Sequence, residues 1–188
     1  PKILIKDFVD DCLIESETEK APKISESTFS EYVREFEEKG TKISCPTLDI
    51  LSGEIIRDDD SLLVEVEFSE VPSKYKLMKD KILLREDYED HPEEKDPEYI
   101  YVVVLDLTGD LKMDETWFVA LTPIGILIDC SLPGDDGGQD CDRDIKFNIE
   151  ENSISLSRKV GSISNVGLMM LANEEKFIDL TDWTAVSG

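Results

Sequence analysis

Tyr99-Ile-Tyr-Val-Val-Val-Leu-Asp106 is the stretch on which the fold turns. A short run of aromatic and β-branched side chains, with no glycine or proline inside it, has the length and composition of a buried strand. Downstream, Thr116–Leu121, Gly125–Cys130, Asp144–Glu150 and Ser153–Lys159 show the same enrichment at strand length, each separated from the next by turn-forming residues. Thr122-Pro123-Ile124-Gly125 sets proline and glycine at the second and fourth positions of a β-turn, and Glu151-Asn152 is short enough for a hairpin link. The reading over 99–159 is an antiparallel meander. Beyond it, Val166–Leu171 forms an apolar run and Phe177–Leu180 a last strand-like piece.

Upstream, Arg85–Glu98 carries two prolines and a dense run of acids, the composition of a solvated loop. Leu62, Val64, Val66 and Phe68 alternate with Leu63, Glu65 and Glu67 in a strand with one buried face. Pro72 and Ser73 interrupt, and Lys74–Leu84 suits either helix or strand. The clearest helix spans about 28–39: Thr28 and Glu31 have capping-box spacing, Phe29, Tyr32, Val33 and Phe36 share a face, and Gly40 ends it. In the first 26 residues, Ile5, Phe8, Val9, Cys12 and Leu13 recur at helical spacing while Ile3–Ile5 equally suits a short strand, and Glu15–Glu26 is polar enough for a linker. The expected class is α+β, a mostly antiparallel sheet (meander 99–159) with one packed amphipathic helix (about 28–39). The expected organisation is an N-terminal segment and linker, 1–26, before a single domain, 27–188, with an acidic loop at 85–98.

Charge bounds the partners. Against 20 Lys and Arg stand 44 Asp and Glu, a formal net charge of -24 on 188 residues. Such a field repels nucleic-acid backbones and anionic membrane surfaces and draws cations and basic proteins. No apolar stretch approaches the roughly 20 residues that cross a bilayer, and the N-terminus lacks the pattern of a secretory leader. Pro1 fits removal of an initiator Met, which leans towards the cytoplasm; a leader upstream of Pro1 would indicate export. Cys12, Cys45, Cys130 and Cys141 lack CxxC spacing, and buried free thiols are the expected state, with a Cys130–Cys141 bridge the alternative in an oxidising compartment.

No catalytic constellation emerges, and the expectation is a protein that is not an enzyme. His91, the lone histidine, precedes Pro92 in the acidic loop, an exposed setting ill suited to a tuned general base. Neither GxSxG, GxGxxG nor a phosphate-binding GxxxxGK[ST] occurs. Trp117, Trp183 and the Met169-Met170 pair read as core. The most site-like stretch is Asp135–Asp144. Asp140, Asp142 and Asp144 alternate, and Asn148 and Glu151 fall at the ninth and twelfth positions of a calcium loop. Ile145 occupies the sixth position, where an EF-hand needs glycine, and the flanks read as strands, so a normal EF-hand is excluded; the rival account is a solvated Asp-Gly turn.

The expected function is that of an acidic, non-enzymatic interaction protein, of inhibitor or immunity type by its charge. It would meet a basic protein surface through Glu86, Asp87, Glu89, Asp90, Glu93, Glu94, Asp135 and Asp136, without direct nucleic-acid contact or membrane insertion. The alternative is an exported or cell-surface module whose acidic region 135–151 binds calcium through Asp140, Asp142, Asp144, Asn148 and Glu151. Neither reading requires another cofactor.

Overall fold

The structure, a computed structural model, describes residues 2–7, 11–14, 29–84, 97–132, 141–173 and 177–186. In chain order the elements are β1 (Lys2–Lys6), β2 (Cys12–Ile14), α1 (Phe29–Lys39), β3 (Thr41–Ile43), β4 (Ile50–Asp58), β5 (Ser61–Phe68), α2 (Ser73–Leu77), β6 (Ile82–Leu84) and β7 (Tyr99–Asp106). There follow β8 (Glu115–Thr122), β9 (Gly125–Ser131), a 3-10 turn (Cys141–Asp144), β10 (Lys146–Glu150), β11 (Ser153–Lys159), β12 (Asn165–Ala172) and β13 (Phe177–Ala185). They form a five-stranded sheet, β1-β4-β5-β11-β10, and an eight-stranded sheet, β3-β2-β13-β12-β7-β8-β9-β6. Among the described residues every pairing is antiparallel except β6 with β9.

The alternation of β5 is the reason the two sheets stack. Leu62, Val64, Val66 and Phe68 turn inwards with Ile55 of β4 and Ile154 and Leu156 of β11, against Tyr101, Val103 and Leu105 of β7 and Trp117, Val119 and Leu121 of β8. Each such side chain, fully buried, contributes roughly 1.5–3 kcal/mol. The even-numbered residues of β7 point the other way, where Val102 and Val104 join Met169, Ile178 and Leu13 beneath Phe29, Val33 and Phe36 of α1. With sheet on one side and helix on the other, β7 and β12 are covered on both faces. This is why their sequences are unbroken apolar runs rather than alternations. The same geometry divides Met169 from Met170 and Trp117 from Phe118, one of each pair facing the second sheet and its neighbour facing the helix layer.

The helix docks closely because β12 carries Gly167 beneath it. A Cβ there would lie 2.2 Å from Phe29 Cε1 and 2.8 Å from Val104 Cγ2. Trp183 of β13 closes over Phe29 edge to face, ring centroids 4.9 Å apart. Gly40 ends α1 with its N–H donating to Phe36 O at 2.8 Å.

Several expectations need correction. The stretch 99–159 is not one meander: β7, β8 and β9 are consecutive in the large sheet, whereas β10 and β11 form a hairpin in the small one. The chain changes sheets within 132–145, a link longer than a hairpin loop. Asp144 belongs to the 3-10 turn, and the strand begins at Lys146. The ambiguous N-terminus resolves at Ile3–Ile5 as strand: β1 pairs with β4, and β2 pairs with β13 and β3, so the segment set apart as 1–26 gives a strand to each sheet. Phe8, Val9 and Glu15–Glu26 lie outside the described residues. The Lys74–Leu84 ambiguity resolves as both, α2 followed by β6.

The free thiols are overturned as well. Cys12 is bonded to Cys45 and Cys130 to Cys141, with Cα–Cα separations of 5.2 and 5.5 Å that suit a disulfide. The β2–β3 pairing, which sets Cys12 opposite Ile43, brings Cys45 within reach across 33 residues of chain. Among the described residues, no helix is long and apolar enough to cross a membrane.

Candidate functional site

Four aspartates converge where the two sheets meet. Asp179 alternates to the inner side of β13, is 1% exposed, and accepts the Ile50 N–H at 2.7 Å on Oδ2, a hydrogen bond from one sheet to the other. Its Oδ1 accepts the N–H of Leu180 at 3.0 Å. Asp49, also buried, is held by Ser69, whose Oγ accepts the Asp49 N–H at 3.1 Å. Carboxylate oxygens of Asp7, Asp11 and Asp179 lie within 4.8 Å of one another, and those of Asp49 and Asp179 lie equally close to the sulfurs of Cys12 and Cys45.

Burial, and then the charges of Asp7, Asp11 and Asp49 against the opposing Ile50 N–H, push the Asp179 carboxyl up to about 9. At neutral pH Asp179 therefore holds a proton and offers its neighbours an O–H donor. Asp11 Oδ1 is buried without a hydrogen-bond partner. The sulfurs are bonded to each other and supply no thiolate for a metal. With both Asp179 oxygens engaged by backbone N–H groups, the cluster works chemically as a proton-holding seam.

A second acidic group organises the β7–β8 loop. Asp106 Oδ1 accepts N–H groups from Thr108 and Gly109 at 3.2 and 2.8 Å, and Oδ2 accepts Leu111 N–H at 3.1 Å and Asn165 Nδ2 at 2.7 Å. Burial raises this carboxyl, but Asn165 and the three N–H groups together hold it below the ordinary aspartate range. Asp110 and Asp114 stand close to it. Their carboxylates accept the N–H groups of Lys112 and Leu107, so the trio serves as turn scaffolding.

The residues singled out from the sequence fare unevenly. Glu86, Asp87, Glu89, Asp90, Glu93, Glu94, Asp135, Asp136 and Asp140 lie outside the described residues. Asp142 is buried in the 3-10 turn beside exposed Asp144. Asn148 is exposed in the middle of β10, and Glu151 occupies the following hairpin turn with φ of 54°. Five residues of strand, roughly 17 Å at the usual rise, separate Asp144 from Glu151. They stand at opposite ends of a strand, and no acidic cluster among the described residues contains either.

No protein family, curated protein or solved structure matches this chain. The seam aspartates escaped the sequence reading because four acids among 44 carry no mark, and Asp179 meets Ile50 across 129 residues. Asp106 did leave a local signal, an aspartate closing an apolar run just before Thr108-Gly109, the pattern of an Asx turn.

Proposed function

We propose that the protein is a non-enzymatic binding module of an oxidising, exported or cell-surface setting, which engages a basic protein surface through its acidic segments. One observation carries this reading: the Cys130–Cys141 bridge ties together the ends of the segment bearing Asp135, Asp136 and Asp140, with Cα atoms 5.5 Å apart. Holding those ends lowers the entropy lost when the carboxylates meet a partner. The second disulfide supports the compartment, because paired structural cysteines persist where thiols are not kept reduced. The net charge of -24 supports the sign of the partner.

Binding of the full, oxidised chain to an immobilised lysine-rich peptide tests the reading. Affinity should fall steeply as salt shortens the Debye length from about 10 Å at 0.1 M to about 3 Å at 1 M. The triple change Asp135→Asn, Asp136→Asn, Asp140→Asn should weaken binding more than the charge-matched triple Glu37→Gln, Glu38→Gln, Asp58→Asn at exposed positions elsewhere. Equal losses would remove the tied segment as the docking element. Alkylation without reductant of protein from its native source, followed by intact-mass measurement, should label no cysteine; labelling of all four would place the protein in a reducing compartment.

A further inference from the structure

Among the described residues β1, β10, β3 and β6 end the two sheets, and the edge of β10 is complementary to itself. β11 lies on one side of β10, and no strand among the described residues lies on the other. Glu151 and Asn152 alone form the turn between β10 and β11, so Glu150 and Ser153 are the hydrogen-bonded pair that closes the hairpin. Bonded pairs alternate along an antiparallel ladder, which makes Asn148–Ser155 and then Lys146–Ser157 the next of them. The backbone N–H and C=O groups of Phe147 and Ile149 therefore point away from β11, towards the open side.

The side chains of β10 follow the same symmetry. Lys146, Asn148 and Glu150 are exposed on the outer face, whereas half-buried Phe147 and buried Ile149 belong to the face that meets the second sheet. Laid antiparallel to a second copy about Asn148, the strand sets Lys146 opposite Glu150 and Phe147 opposite Ile149, with Asn148 opposite its own counterpart. Opposite charges and aromatic–β-branched neighbours are the cross-strand pairs that stabilise a ladder. In this register Phe147 and Ile149 take the hydrogen-bonded positions, matching the backbone groups left open. The Lys–Glu pairs take the positions between, where side chains of facing strands come closest. Among the described residues neither Lys146 nor Glu150 makes an ion pair within its own copy.

The other edges lack this property. Self-pairing of β1 about Leu4 would oppose Lys2 to Lys6, like charges, and β3 and β6 have 3 residues each. Short strands and edge lysines are the usual means of keeping an edge from pairing.

We propose that the chain forms a symmetric dimer in which β10 pairs antiparallel with β10 of a second copy, joining the two five-stranded sheets into one continuous sheet. The two-fold axis passes through Asn148, so the contact closes on itself and recruits no third copy. A strand edge is a small contact and each copy carries -24. The dimer is therefore weak, and it tightens as salt screens the repulsion between copies. It does not depend on which basic partner the acidic segments meet.

Sedimentation of the full, oxidised chain from about 10 µM to about 1 mM, in about 0.3 M sodium chloride, should show a monomer–dimer equilibrium without larger species. As the dimer fills, the Phe147 and Ile149 amides should exchange more slowly with solvent. Lys146→Glu and Glu150→Lys, both at exposed positions, each set like charges at both ends of the paired strands and should weaken association about tenfold. The double exchange Lys146→Glu/Glu150→Lys makes the facing charges opposite again and should recover the dimer, as should an equimolar mixture of the two single variants. Net charge alone predicts otherwise, because Glu150→Lys reduces the repulsion between copies. A chain monomeric throughout overturns the proposal and leaves the edge to a strand of a different protein. A dimer that the single variants do not weaken, or whose Phe147 and Ile149 amides exchange as in the monomer, uses another surface and overturns it equally. Species growing beyond the dimer would show open head-to-tail pairing in place of the closed contact.

Discussion

Asp179 is the residue whose setting departs most from that of an ordinary surface acid. Its carboxyl is pushed up to about 9 by burial and by the neighbouring aspartates, whereas in the unfolded chain it returns to the usual range near 3.9. Between those values the folded protein binds a proton that the unfolded chain has released, so this residue makes stability fall as pH rises from about 4 to about 9. Asp179→Asn keeps an acceptor for Ile50 N–H and gives the neighbouring carboxylates a permanent donor. It should leave stability near pH 4 almost unchanged and raise it by roughly 2–4 kcal/mol at pH 7–8. Urea unfolding across this range checks it. Parallel pH profiles for the two proteins would mean that Asp179 is ionised in the folded state.

At the scale of elements, the helix layer depends on a missing side chain. Gly167→Ala sets a methyl group 2.2 Å from Phe29, and the expected cost is about 1–3 kcal/mol with a change in Trp183 fluorescence, since Trp183 rests on Phe29. In a Phe29→Ala background the same change should cost much less, and a double-mutant cycle without coupling would show that the helix does not sit on Gly167. What could be read from sequence follows from how local each element is. The β10–β11 hairpin at Glu151-Asn152, the β8–β9 turn at Thr122–Gly125 and the alternation of β5 are written within a few consecutive residues. The helix expected at about 28–39 is found at Phe29–Lys39 for the same reason. Sheet membership is not local: nothing in Lys146–Lys159 states that these strands leave the sheet of β7–β9 to pair with β5. The seam aspartates share that property, Asp7, Asp11, Asp49 and Asp179 coming from segments distant in sequence, whereas the alternation of Asp140, Asp142 and Asp144 is a local period, followed from Lys146 by strand.

The whole molecule is held by two cross-links of different reach. Cys12–Cys45 spans 33 residues and fastens β2 beside β3, while Cys130–Cys141 spans 11 and closes only the crossing between sheets. Loop-closure entropy makes the longer link worth about 1 kcal/mol more, roughly 3.7 against 2.8. Denaturant unfolding should therefore rank Cys12→Ala/Cys45→Ala below Cys130→Ala/Cys141→Ala in stability, and the reverse order would place the main constraint at the crossing. Charge acts over the same whole. A net -24 imposes self-repulsion that any dissolved cation relieves. A specific calcium site would add stabilisation by mass action that magnesium, which demands a smaller octahedral shell, could not match. Because Asp144 and Glu151 stand at opposite ends of β10, calcium and magnesium at fixed ionic strength should raise the Tm equally, and Asp142→Asn should leave that equality intact. A calcium-selective rise abolished by Asp142→Asn would instead show that the acids around the 3-10 turn gather about an ion.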